Sequence, residues 1–138
     1  MRIDDPLRVT VANRANERCE YCQYPKEFSP SHLQVDHILP QSANGPNELE
    51  NLALACSHCN AHKATHQTGT DPLTRTVVRL FNPRIDDWTV HFFLNRETGE
   101  IDGRTPIGRA TVKVLLMNVD QPIRARRNLM ILGFYETR

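Results

Sequence analysis

The chain has 138 residues and a formal net charge of +1, with 39% hydrophobic and 7% aromatic residues. This length suits one domain or a small core with an extension, and such a lean core benefits from a structural metal. No apolar run approaches the roughly 18 residues of a membrane helix, and the charged segment MRIDDPLRVT lacks the apolar stretch of a secretory signal. We therefore expect a cytoplasmic protein without a membrane span, in which paired CxxC motifs indicate metal sites rather than disulfides.

The charge is unevenly distributed. Residues 1–103 carry ten basic and fourteen acidic side chains, whereas residues 104–138 carry seven basic and two acidic ones. The basic tail is therefore a better indication of partners than the whole-chain charge. Its cluster of Arg124, Arg126 and Arg127 either presents solvated charge or binds nucleic-acid phosphates.

A helix is predicted first. Asp4 is its expected N-cap, Pro6 lies at the first helical position, and the helix should run to about Arg18. Its apolar stripe consists of Leu7, Val11 and Ala15. The arginines off this stripe, which are Arg8, Arg14 and Arg18, either are solvated or contact phosphates.

The middle of the chain predicts a β-hairpin followed by a helix. A short strand over 33–35 delivers Asp36-His37 at its end, and a turn signal over 44–46 precedes a second strand over 51–55. Ser57 is the expected N-cap of the helix that follows.

The C-terminal half predicts a second hairpin and two helices. A linker is expected over 69–72, a strand over 88–94 and a turn over 96–100. One helix should span 107–118, and another should begin at Asp120 and end near Gly133. The apolar stripe of the first of these helices consists of Val112, Leu115, Leu116 and Val119.

The four cysteines form two pairs, Cys19-x-x-Cys22 and Cys56-x-x-Cys59. Four thiolates suit tetrahedral zinc, although a disulfide or an iron–sulfur cluster would use the same residues. A fully thiolate shell leaves no open coordination position, so such a zinc ion would be structural.

Several polar side chains between and behind these pairs suit phosphodiester chemistry. Asp36 and Asn60 offer the hard oxygens that Mg²⁺ prefers, and Lys63 shares the helix face of Asn60, where its ammonium can hold a substrate phosphate. His37 can take a proton from water. Asn51 would either orient His37 or brace the loop between the strands.

Together these motifs, in this order, resemble the HNH endonuclease family over about residues 18–66, in a stand-alone bacterial type with two CxxC zinc knuckles. The resemblance implies that Asp36 and Asn60 bind a catalytic divalent ion, that His37 is the general base and that Asn51 orients it. Many members have His where this chain has Asn60, so this is an HNN-like variant. Residues 70–138 are similar to the C-terminal extension of some short bacterial members, which assigns no role.

Three histidines remain on the predicted second helix. His62 is an alternative for the missing family histidine, but it lies about 200° round the helix from Asn60. His58, His62 and His66 share one face, for which solvent or phosphate contact is expected rather than a third metal site.

We therefore expect an α+β protein, with an N-terminal helix and a ββα-metal (His-Me finger) core stapled by zinc over 1–68, and an extension over 69–138 that packs on this core. The expected function is a metal-dependent endonuclease that acts on nucleic acid, with DNA the favoured substrate and Mg²⁺, Mn²⁺ or Ni²⁺ as the catalytic ion. By resemblance, the products would carry 5′-phosphate and 3′-hydroxyl ends. The alternative is a zinc-stabilised nucleic-acid-binding module without turnover. A monomer and a homodimer both stay open.

Overall fold

The computed structural model describes residues 3–135, so the outer ends of the two predicted domains, 1–2 and 136–138, lie outside the described residues. In chain order the elements are α1 (Asp5–Arg14), β1 (Gln34–His37), β2 (Leu52–Ala55), α2 (Ser57–Lys63), β3 (Thr68–Thr70), β4 (Val77–Arg79), α3 (Trp88–His91), β5 (Phe92–Leu94), β6 (Ile101–Gly103), α4 (Pro106–Val114) and α5 (Asp120–Ile131). The strands form three two-stranded antiparallel hairpins. This mixture confirms the α+β class. Within the described range, no helix combines the length and apolar character needed to span a bilayer.

Helix α1 begins as predicted but ends four residues early. The Asp4 carboxylate caps its first turn. The helix stops at Arg14 because Asn16 and Glu17 both adopt a left-handed conformation, each with φ of 54°. This reversal brings the chain to the first cysteine pair instead of extending the helix to Arg18.

The inner face of α1 packs on the first hairpin. Val11 and Ala15 are fully buried and belong to one hydrophobic cluster with Leu52 of β2. The Arg14 guanidinium donates to the backbone carbonyls of Leu49 and Leu52 at 2.8 and 2.6 Å. Arg14 is therefore a structural anchor, not a solvated residue.

The predicted hairpin and helix are confirmed, with small changes at their ends. In β1, Asp36 pairs with Ala53 of the fully buried strand β2. Asn51 belongs to a 3₁₀ turn before β2 and not to the strand itself. Helix α2 is capped by Cys56 rather than by Ser57, since the Cys56 sulfur accepts the backbone N–H of Cys59.

The linker predicted over 69–72 is wrong, because Thr68–Thr70 forms a strand that pairs with Val77–Arg79. Gly69 allows this hairpin to lie close to α4, since a Cβ there would lie only 2.7 Å from a methyl group of Val114. A glycine that suggested flexibility in the sequence therefore serves tight packing.

The strand predicted over 88–94 is only half correct. Asp87 caps the short helix α3 by accepting the backbone N–H of Thr89 at 3.0 Å, and β5 follows it. The helix places the Trp88 indole where its N–H donates to the Tyr21 carbonyl at 2.7 Å. The predicted turn between β5 and β6 is confirmed, with Gly99 at φ of 81°.

The last two helices also differ from the prediction in part. Helix α4 ends at Val114 because Leu116 adopts a left-handed conformation with φ of 48°. Leu116 and Val119 are consequently 40% and 41% exposed, while Leu115 is fully buried. Helix α5 ends near Gly133, as predicted.

One hydrophobic core joins the two halves of the chain. Buried residues of a single cluster come from the cysteine pairs, from β2 and from the extension, and they include Tyr21, Ala53, Phe81, Trp88, Leu115 and Tyr135. The Tyr135 hydroxyl also donates to the Cys22 carbonyl. This cluster therefore includes residues from both sides of the boundary predicted at 68/69.

Candidate functional site

The four cysteines converge in the core. Their buried sulfurs all lie within 4.8 Å of one another, and the Cys22 and Cys56 sulfurs are 3.7 Å apart. Zinc–sulfur bonds of about 2.3 Å place the sulfurs of a tetrahedral site about 3.8 Å apart, so this group fits zinc. Hydrogen bonds among the sulfurs hold the pKa of the Cys56 thiol well below its usual range and raise the pKa of the Cys22 and Cys59 thiols well above it. The predicted zinc-binding cluster is therefore assembled by the fold.

A second site lies at the end of the hairpin. Asp36 and His37 from β1 and Asn60 from α2 line one open cleft of about 330 Å³. Helix α2 serves both sites, because Cys59 points to the sulfurs while its neighbour Asn60 lines the cleft. Three of the residues predicted to be catalytic are therefore brought together.

Asp36 is a buried carboxylate with two partners. Its Oδ2 accepts from the Tyr21 hydroxyl at 2.7 Å and lies 3.1 Å from the Lys63 ammonium. Burial raises the pKa of Asp36, and the nearby Lys63 charge and the Tyr21 hydrogen bond only partly oppose this shift. Burial, together with the Asp36 charge, also raises the pKa of Tyr21 far above its ordinary value, so its hydroxyl keeps its proton and donates.

Lys63 does not face solvent as a phosphate-binding residue would. Its side chain is only 2% exposed, and its ammonium also donates to the carbonyls of His37 and Ile38 at 3.2 and 3.3 Å. In this conformation Lys63 has no surface for a substrate phosphate. The ammonium is held by the Asp36 carboxylate and two carbonyls at the end of β1, and its contact with a substrate phosphate stays a prediction.

The imidazole of His37 is held by Asn47. His37 Nε2 lies 2.6 Å from Asn47 Oδ1, which also accepts from the Gln41 amide at 3.3 Å. Because an amide oxygen only accepts, Nε2 carries the proton in this arrangement. The lone pair of Nδ1 is then the basic one.

Asn51 braces the loop between β1 and β2 and does not contact His37 directly. Its Oδ1 accepts from the Leu39 N–H at 2.8 Å, and its Nδ2 donates to the carbonyls of Leu39 and Pro46 at 3.0 and 3.1 Å. Of the two roles that the sequence allowed, the structure shows the bracing one. Asn47 makes the contact with the His37 ring that the resemblance implied for Asn51.

Asn60 presents its amide oxygen as a candidate ligand. Its Nδ2 donates to the Gln34 side chain, which leaves Oδ1 as the atom that can bind a metal. Gln34 precedes Asp36 by two residues on β1 and therefore shares its face of the strand. A carboxylate and an amide oxygen on an open cleft fit a hard divalent ion that keeps several waters.

The histidines of α2 do not join the cleft. The His58 and His62 rings lie 4.4 Å apart, and His58 Nε2 contacts the Leu116 carbonyl at 2.8 Å. Neither residue lines the cleft, so His62 does not replace Asn60 there. Within residues 3–135, the four cysteines are the one group of three or more His, Cys, Asp or Glu residues with metal-ligand spacing.

The predicted arginine cluster is divided. Arg124 and Arg127 are exposed on α5, but Arg126 is only 1% exposed. The Arg126 guanidinium donates to the carbonyls of Gly99 and Met117, both at 2.7 Å. Arg126 thus links α5 to the preceding hairpin, and its burial leaves the guanidinium little surface for the phosphate contact that the sequence predicted.

Three side chains of the site were not identified from the sequence. They are Tyr21, Gln34 and Asn47. The two-residue period of a strand would have placed Gln34 beside Asp36. No spacing rule distinguishes Asn47 from its neighbours, because its role depends on how the loop folds back on His37.

The HNH endonuclease family model matches residues 19–66, the segment that contains both cysteine pairs and the cleft. The chain contains an HNH endonuclease domain. Its ββα unit consists of β1, β2 and α2. The family resemblance seen in the sequence is thereby confirmed for this segment.

Curated relatives also match parts of the chain. Septu protein PtuB of Bacillus thuringiensis is 26% identical over 115 residues, which cover 81% of this chain and 41% of that protein. The CRISPR-associated endonuclease Cas9 of Corynebacterium diphtheriae is 40% identical over 60 residues, covering 43% of this chain and 5% of Cas9. A GTP 3',8-cyclase of Limosilactobacillus fermentum is 35% identical over 77 residues, covering 56% of this chain and 21% of the cyclase. The chain thus spans less than half the length of each of these relatives. No solved structure matches significantly.

Proposed function

We propose that this protein is a metal-dependent endonuclease that hydrolyses phosphodiester bonds in nucleic acid, with DNA as its substrate. The observation that carries the proposal is the open cleft of the HNH domain, which Asp36, His37 and Asn60 line together. These side chains provide a base and two hard oxygen ligands in one place. The Cas9 relative is named as an endonuclease, which agrees with this activity.

His37 is the proposed general base. With Nε2 donating to Asn47, its Nδ1 can take a proton from a water molecule as that water attacks the phosphorus in line. Asn47 holds the ring, and Asn51 holds the loop that carries Asn47. By family resemblance, the products carry 5′-phosphate and 3′-hydroxyl ends.

Asp36 and Asn60 are the proposed ligands of a catalytic Mg²⁺, Mn²⁺ or Ni²⁺. When bound, such an ion stabilises the negative charge that develops on the departing 3′-oxygen. The zinc ion proposed for the cysteines has a different role, because four thiolates leave it no open position for substrate.

A second candidate function is a zinc-stabilised module that binds nucleic acid without cleaving it. It is favoured by one observation, the ion pair between Asp36 and Lys63, which occupies the carboxylate. The two functions share the fold and the zinc and differ only in turnover.

Incubation of supercoiled plasmid with the zinc-loaded protein and Mg²⁺, Mn²⁺ or Ni²⁺ separates the two functions. We expect nicked circles first, since one cleft cuts one strand, and no cleavage by the His37→Ala variant. Linear product at the first cut would instead indicate two copies acting together. Plasmid binding without cleavage by any of these metals would favour the binding module.

A further inference from the structure

The Lys63 ammonium has an unusual set of neighbours for a residue beside a catalytic cleft. It lies 3.1 and 3.4 Å from the two oxygens of Asp36, and it donates to two backbone carbonyls, of His37 and Ile38. Carboxylate and carbonyl oxygens are also the donors that hard divalent cations take. The Lys63 ammonium therefore lies among four oxygen atoms, two of which belong to Asp36, the proposed ligand of the catalytic ion.

The burial of both partners makes this ion pair necessary while no other cation is bound. The side chains of Asp36 and Lys63 are 5% and 2% exposed. An unpaired carboxylate at that depth would be strongly unfavourable, so the Lys63 ammonium stabilises the charge of Asp36.

A divalent ion on Asp36 would change this balance. Such an ion would share the Asp36 carboxylate with the Lys63 ammonium, and the two cations would repel each other. The ammonium stands on a flexible four-carbon stem, so it can move away from the carboxylate by side-chain rotation while the α2 backbone stays in place.

We propose that Lys63 is a resident cation of the cleft, which the catalytic divalent ion must displace from Asp36. This inference rests on the proposed function, since it requires a divalent ion at Asp36. It makes Lys63 a positioning residue that sets the affinity for the ion. The displaced ammonium becomes available to the substrate phosphate only after the ion has bound.

The first test measures Mn²⁺ binding to the zinc-loaded protein by the electron paramagnetic resonance signal of free Mn²⁺. Lys63→Met should bind Mn²⁺ about 10-fold more tightly than the wild type, because no ammonium competes for Asp36. Lys113→Met, which removes an exposed lysine of α4, should bind as the wild type does. Equal or weaker binding by Lys63→Met would overturn the displacement.

Asp36→Asn distinguishes this inference from the proposed function. If Asp36→Asn binds Mn²⁺ as tightly as the wild type, the proposed metal site itself is wrong. If Asp36→Asn loses Mn²⁺ but Lys63→Met gains no affinity, the metal site stands and only the displacement by Lys63 is wrong.

A second measurement needs no variant and remains informative if Lys63→Met does not fold. Acetylation of the zinc-loaded wild type, followed by mass spectrometry, reports the reactivity of each lysine. Lys63 should react slowly without Mn²⁺ and severalfold faster as Mn²⁺ saturates the cleft, while the exposed Lys26 and Lys113 should not change. A Lys63 rate that does not change at saturating Mn²⁺ would contradict the proposal.

Discussion

Two buried carboxylates, Asp36 in the HNH domain and Asp71 in the extension, have opposite electrostatic environments. Asp71 is fully buried and accepts two bonds from the Arg109 guanidinium, both at 2.9 Å. The hydroxyl and the backbone N–H of Thr74 and the backbone N–H of Leu73 also donate to it. These bonds, that from Arg109 first, hold the pKa of Asp71 well below its usual range. Asp36 contacts the Lys63 ammonium and the Tyr21 hydroxyl, and burial raises the pKa of Asp36 despite both contacts.

The two carboxylates differ in how many hydrogen-bond donors surround them and in whether they line a cleft. A forked guanidinium and three further donors saturate Asp71, so this pair serves the fold. The carboxylate of Asp36 has fewer hydrogen-bond donors than that of Asp71, and it lines an open cleft. Both features are typical of functional sites. The extension thus uses the buried charge of Asp71 for structure, whereas the HNH domain places the buried charge of Asp36 beside an open cleft.

The largest expected effect concerns the cysteines, because both regions share one hydrophobic core with them. Cys56→Ser should lose zinc and unfold the HNH domain together with the extension, since zinc binding in such sites contributes roughly 10–16 kcal/mol. Circular dichroism and elemental analysis would measure both losses. Ser57→Ala, which removes the neighbouring hydroxyl, should keep about one zinc per chain. A folded, zinc-free wild type would contradict the prediction.

The next effect is on catalysis alone. His37→Ala should slow plasmid cleavage by about 10²- to 10⁴-fold, because it removes the proposed base and no metal ligand. Zinc content and plasmid binding should not change. His66→Ala, at an exposed position after α2, is the matched control. Wild-type cleavage by His37→Ala with the same metal would show that the mechanism is wrong.

Two asparagines of the hairpin loop should separate stability from activity. Asn51→Ala should lower the free energy of unfolding by about 1–3 kcal/mol, because partly buried backbone groups of Leu39 and Pro46 lose their partner. Asn47→Ala should leave stability near the wild-type value and slow cleavage by about 10- to 100-fold, since it frees the His37 ring. Urea unfolding and plasmid cleavage measure the pair. The reverse pattern would restore the role that the family resemblance implied for Asn51.

The ion pair of Asp71 and Arg109 predicts that the folded chain loses stability in acid. A carboxylate whose pKa is lower in the folded chain stabilises the fold above its unfolded pKa of about 3.9, and this contribution is lost as the pH falls through the folded value. Asp71→Asn should therefore be less stable at pH 7 and should lose less stability below about pH 4 than the wild type does. Thermal unfolding between pH 7 and pH 2 measures this, with Asp102→Asn at an exposed position of β6 as the control. Parallel curves for Asp71→Asn and the wild type would contradict it.

The smallest effect concerns the exposed charges of the extension. Arg124→Gln with Arg127→Gln should weaken DNA binding modestly and reduce the slope of affinity against salt by up to about 2, because fewer counterions are released. Arg126→Gln should instead lower the melting temperature, since its guanidinium holds backbone carbonyls. If the double variant leaves the salt slope unchanged, Arg124 and Arg127 are solvated charges only.

Most of the HNH domain could be predicted from local patterns. The spacing of Cys19, Cys22, Cys56 and Cys59 predicted the sulfur cluster, and strand and turn signals predicted the hairpin that delivers Asp36. Such features depend on residues a few positions apart, whose geometry a helix turn or a strand repeat determines. The α+β class followed from the same patterns.

The ends of helices and the strand of the extension were less predictable. Apolar periodicity continued past Val114, but the chain reverses at Leu116 and exposes that side chain. Gly69 suggested a linker, although it allows a strand to approach α4. In both cases contacts with distant segments outweighed the local preference.

The sequence by itself determined which chemical groups the HNH domain contains and the order in which they occur. Only the tertiary structure decided their partners: Asn47 rather than Asn51 for His37, and Asp36 for Lys63. It also buried the side chain of Arg126 where α5 packs against the hairpin of β5 and β6. The physical reason is that a polar side chain pairs with whichever donor or acceptor packing brings within about 3 Å, and segments far apart in the chain supply those partners.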